Sequence, residues 1–168
     1  RLHSSTAFAE DSRWNRAAFV QHRYTGDTFS TELGLRHDDN QQFGSENTWN
    51  AALTLPLNSA NDLILSYSEG FRAPTFNDLY DPWYGNPDLQ AERSKSYELQ
   101  WRSRYSDTGS LQASLYRTEI EDAIVLDENF IPQNVQTARI NGFEAAVQQE
   151  LFGWQANLAL ALIDPRDR

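Results

Sequence analysis

Alternation with a period of two residues runs through most of the chain, and it constrains the fold more than any other feature. In 29–37, Phe29, Leu33 and Leu35 alternate with Ser30, Glu32 and Arg36. In 49–57 the odd series is Trp49, Ala51, Leu53, Leu55 and Leu57, against Thr48, Asn50 and Thr54. Tyr97, Leu99, Trp101 and Tyr105 repeat the pattern, as do Phe143, Ala145, Val147 and Leu151. In 154–162 the even residues Trp154, Ala156, Leu158, Leu160 and Leu162 form the apolar series. Less regular alternation covers about 16–24, 63–71 and 111–125. The chain therefore reads as all-β, an antiparallel up-and-down meander of about eight strands with no amphipathic helix.

The expected connections fall into two alternating classes. Short turns lie at 25–27, 58–62, 106–109 and 152–153, and long connections at about 38–47, 72–94 and 127–138. A meander of this kind gathers every short turn at one end and every long loop at the other, as in a membrane β-barrel. Eight steps along Trp49 to Leu57, at a strand tilt of about 40°, span roughly 20 Å, close to the ~25 Å apolar band of such barrels. Tyr24, Phe29, Tyr105, Phe152 and Trp154 beside the short turns read as an aromatic girdle. A soluble eight-stranded binding barrel with the apolar face turned inward gives the same periodicity. Long charged and amide side chains on the other face favour a wide, wet lumen.

Composition narrows the partners. The formal net charge is −10, and no basic run reverses it locally, which weighs against nucleic acid. The chain has no cysteine, so disulfides and thiolate metal sites are excluded. The start, "RLHSSTAFAED", has neither an initiator Met nor an apolar signal core, and is read as a mature chain or a fragment. Asp107-Thr108-Gly109-Ser110 copies a string known from aspartic proteases, but that chemistry needs paired carboxylates, and this string occurs once. It reads as a hairpin turn. His3, His22 and His37 have no ligand-like spacing, and no metal site is assigned to them. Glu119, Glu121 and Asp122 are read as solvated residues where a strand rises above the membrane, with a cation cluster as the alternative, and Asp38 and Asp39 are read in the same way. No catalytic constellation is found, so the chain is not read as an enzyme.

The segment 67–88, "YSEGFRAPTFNDLYDPWYGNPD", is too aromatic for a disordered linker and too long for an ordinary connection. Pro74 fixes φ and lacks a donor, so pairing should stop near Ala73. Phe71, Phe76, Trp83 and Tyr84 offer flat contact area to a large, rigid, part-apolar ligand, or else pack the loop against its neighbours or anchor it at the membrane interface. Arg72 would reach a polar group of that ligand or pair with a loop carboxylate.

That segment, continued as "YGNPDLQAERSKSYELQ", resembles the barrel signature of TonB-dependent outer-membrane receptors. "TARINGFEAAV" at 137–147 resembles another strand of the same family, and "RHDDNQQFGSENTWN" at 36–50 is most similar to its vitamin B12 (cobalamin) receptors. The resemblance implies a transmembrane barrel of about 22 strands with an internal plug domain. Residues 1–168 would be a partial barrel domain lacking the plug and the closing strands. It further implies residence in the outer membrane of a Gram-negative bacterium, contact with its lipid, and coupling to TonB through the plug. The cargo would be cobalamin or another large ligand such as an iron–siderophore. No resident cofactor and no metal ligand is carried over.

Overall fold

The computed structural model describes residues 12–167. Among them eight strands follow in chain order: β1 (Asn15–Thr25), β2 (Ser30–Asn40), β3 (Gly44–Asn58), β4 (Asn61–Arg72), β5 (Glu92–Ser106), β6 (Gly109–Leu126), β7 (Pro132–Leu151) and β8 (Trp154–Asp167). They form one antiparallel sheet ordered β1 to β8, each strand paired with its sequence neighbours. The expected meander is the observed one. A short helix, α1 (Phe76–Tyr80), interrupts the connection from β4 to β5. At five residues it is too brief to print a helical period on the sequence.

Register brings the apolar series into rows. Leu65 stands opposite Leu53 on one side and Leu99 on the other. The row continues through Leu115, Phe143 and Leu162. One step along, Ile64, Gln100, Ser114 and Glu144 form a mostly polar row on the other face. Because side chains alternate, a slip of one residue would exchange the two faces.

Among the described residues no second layer buries the apolar face of the sheet. Leu35, Leu115 and Leu162 remain 54%, 55% and 58% exposed. The buried apolar residues are instead Leu79, Leu89, Ala91 and Ala123, with Pro74, and most of them belong to the β4–β5 connection. Among the described residues the outer edges of β1 and β8 are unpaired, so the eight strands do not close on themselves. That removes the alternative of a closed eight-stranded barrel. An apolar face this extensive is built for a non-aqueous neighbour.

Aromatic rings mark both limits of the face. Beside the short turns, Tyr24 and Phe29 pack at 5.3 Å, and Phe152 and Trp154 are largely exposed. Phe152 and Gly153, at φ 53° and 78°, form the tight primed turn that suits a two-residue hairpin. Toward the other end, Trp49, Tyr67 and Tyr97 run across three strands with centroids 4.4 and 5.1 Å apart. This second girdle lies beyond the one that alternation alone marks out.

Two of the expected long connections are short. The span expected at 38–47 contracts to 41–43, and that at 127–138 to 127–131. The strands run on past the apolar band, where both faces meet water and alternation fades while the hydrogen-bond ladder continues. Asn40 makes the first turn possible, its Oδ1 accepting from the backbone N–H of Gln42 (3.0 Å) and Phe43 (3.1 Å). Among the described residues only 73–91 form a long connection. Asp107-Thr108 is the expected hairpin turn between β5 and β6.

Candidate functional site

Residues 73–91 fold as a compact ledge at the end of the sheet away from the short turns. β4 stops at Arg72, just before Pro74, as the proline requires. Thr75 then caps α1: its Oγ1 accepts from the N–H of Asp78 at 3.2 Å, and Asp78 Oδ2 accepts from the N–H of Thr75 at 2.8 Å. This reciprocal box fixes the direction in which the chain enters the helix. Leu79 (1% exposed) and Leu89 (3% exposed) fill the space beneath. A Cβ on Gly85 would lie 2.6–2.8 Å from backbone atoms of Asp81 and Leu79. Glycine at this position therefore serves close backbone approach; its φ is not positive.

The ledge is fastened on both sides. Arg13 donates to the Pro74 carbonyl at 3.0 Å, and its guanidinium lies 5.3 Å from the rings of both Phe43 and Phe76. Gln42 donates to the Tyr80 hydroxyl at 2.8 Å. Across the gap to β7, the N–H of Gln90 donates to Asn134 Oδ1 at 2.7 Å, and Asn134 Nδ2 donates back to the Gln90 carbonyl at 3.1 Å. Asn86 Nδ2 donates to the Pro132 carbonyl at 2.8 Å.

Beside the ledge, on the polar side of β2 to β4, lies a cavity of about 620 Å³. Arg36, Asp38, Asn40, Phe71, Arg72 and Phe76 line it. Of the five aromatic and basic candidates, Phe71, Arg72 and Phe76 thus come together. Trp83 (73% exposed) and Tyr84 (52% exposed) stand apart on the ledge, their backbone N–H groups held by Asp81 Oδ1 at 3.0 and 3.1 Å. Arg72 is ion-paired with Glu92, whose other oxygen accepts from the N–H of Ile124 at 2.7 Å. The pairing of Arg72 with a carboxylate is thus present.

Asp38 corrects its reading as a solvated residue. It is 7% exposed and accepts two hydrogen bonds from Arg36, at 2.6 and 2.8 Å. That interaction holds its carboxyl below the usual range, partly opposed by burial. Asn40, 5% exposed, is a second cavity residue that the sequence reading misses. The available signal is Arg36-x-Asp38-x-Asn40, three polar residues on one face directly beyond Leu35. Glu119 and Glu121 engage Arg139 (3.2 Å) and Lys95 (3.5 Å), not each other. His37 meets Asn47 Oδ1 at 2.8 Å, and His3 lies outside the described residues.

Residues 3–167 match the family model described as TonB dependent receptor-like, beta-barrel. The chain is 35% identical over 170 residues to the vitamin B12 transporter BtuB of Vibrio vulnificus, covering 98% of this chain and 28% of that protein. The vitamin B12 transporter BtuB of Photobacterium profundum is 36% identical over 154 residues, covering 84% of this chain and 24% of its own length. The chain thus spans about a quarter of the length of these curated relatives. Among solved structures, the siderophore receptor PirA of Pseudomonas aeruginosa matches with a TM-score of 0.74 at 22% identity, over 90% of this chain and 32% of that one. At that identity the likeness is one of fold. The open meander, its two girdles and these matches lead to one conclusion: the chain belongs to the β-barrel family of TonB-dependent receptors.

Proposed function

We propose that this chain is a stretch of barrel wall from a Gram-negative outer-membrane receptor that imports cobalamin and draws energy from TonB. The observation that carries the cargo reading is the identity, 35% and 36%, to two proteins named vitamin B12 transporters. The receptor is read as a transporter and not as an enzyme. Phe71, Arg72 and Phe76 would meet the ligand from the rim cavity, and Trp83 and Tyr84 from the ledge. Aromatic planes held by the ledge suit a large, rigid, part-apolar cargo, because little side-chain freedom is lost on contact. The plug that engages TonB, and the closing strands, would come from the rest of the receptor.

Isothermal titration of the full-length receptor with cyanocobalamin tests this. Saturable binding that weakens roughly tenfold or more in a Trp83→Ala, Tyr84→Ala double variant is expected. An absence of saturable binding, with a ferric siderophore binding in its place, would move the cargo to the sibling class represented by PirA.

A further inference from the structure

A concavity of about 800 Å³ lies away from the rim, against the apolar face. Leu65, Leu99 and Leu115, one row across β4 to β6, line it, and Tyr97, Arg117 and Asn141 also border it. The polar end is set by register: Arg117 stands between Tyr97 on β5 and Asn141 on β7, one alternation step beyond Leu115 on the same face. Arg117 is exposed, and its Nε donates to Asn141 Oδ1 at 2.9 Å. Among the described residues no carboxylate lies within ion-pair distance of it. Its neighbours in the same belt differ. Lys95, Arg139 and Arg166 pair with Glu121, Glu119 and Asp164 at 3.5, 3.2 and 3.0 Å.

An uncompensated guanidinium where a lipid-facing strand leaves the apolar band calls for an anion, since the low-dielectric side cannot solvate it. Guanidinium groups match phosphate oxygens in a two-point fork, and the apolar groove continues directly below. Charge above and hydrocarbon below describe an amphiphile. We propose that this face holds one phosphorylated membrane lipid. The phosphate sits on Arg117, and an acyl chain descends to Leu115 and crosses over Leu99 and Leu65. Asn141 Nδ2 donates to the headgroup, its Oδ1 being occupied by Arg117.

The proposal rests on the outer-membrane reading but not on the cargo, and its test is independent of cobalamin. The full-length receptor in non-ionic detergent is titrated with dimyristoyl phosphatidic acid and followed by native mass spectrometry. Heat-modifiable gel migration checks that each variant keeps a folded barrel. Wild type should hold one lipid, with affinity falling roughly tenfold or more in Arg117→Gln. Arg23→Gln, which removes an exposed arginine paired with Glu32 on another strand pair, should leave binding unchanged. Phosphatidylcholine with the same chains should bind weakly and alike in all three proteins, and inorganic phosphate should not compete. Equal retention of phosphatidic acid by Arg117→Gln would overturn the proposal, as would competition by inorganic phosphate alone.

Discussion

At the rim, Asp38 is almost fully covered and holds Arg36 by two hydrogen bonds of 2.6 and 2.8 Å. The pair lies beyond Leu35, the last apolar residue of β2, and so outside the apolar band. Because the folded-state pKa is depressed, chiefly by the bond from Arg36, the pair contributes stability above the unfolded carboxylate value. That contribution is lost only as pH falls through the lower, folded value. Thermal unfolding of the full-length receptor should show Asp38→Asn less stable by a constant margin from neutral pH to about pH 4. The margin should close below that, as Asp38 itself becomes protonated. A margin already closing near pH 6 would mean the carboxyl is not held by Arg36. The sequence discloses which face Asp38 occupies, because parity with Arg36 is visible. Its burial is not legible, since it depends on which groups strand pairing and the β4–β5 connection bring around the same cavity, among them Asn15 on β1.

The β4–β5 connection is the element that sets the site. Its start is legible, because Pro74 ends the pairing where expected. Its rigidity is not, because the fastenings come from Arg13, Gln42 and Asn134, all distant in sequence. The same limit explains the strand lengths, since a ladder rising into water on both faces carries no alternation to read. Leu79 is the central prop of the ledge at 1% exposure. Leu79→Ala should cost about 2–4 kcal/mol of local stability. Hydrogen exchange should report this at the Asn86 amide, which donates to the Asp78 carbonyl at 2.7 Å. Protection there should fall roughly thirtyfold or more, with β5 amides near Trp101 unchanged. Equal loss across the whole sheet would show that the ledge is not a separate cooperative unit.

On the scale of the molecule, a single open sheet presents one apolar and one polar face between two aromatic girdles. Its free edges at β1 and β8 are where neighbouring strands of a larger barrel would pair. Alternation by itself could not say whether the apolar face looks inward or outward. Membership of the TonB-dependent receptor barrel family points it outward, toward lipid. The most direct test is a nitroxide scan of the full-length receptor in lipid bilayers, with single cysteines placed along β5 and β6; this chain contributes none of its own. Labels at Leu99, Trp101 and Leu115 should collide preferentially with oxygen dissolved in the lipid, and those at Gln100 and Ser114 with a water-soluble nickel complex. A two-residue alternation in that order is the predicted result. The reverse phase, or no alternation, would contradict the assignment of the apolar face to the membrane.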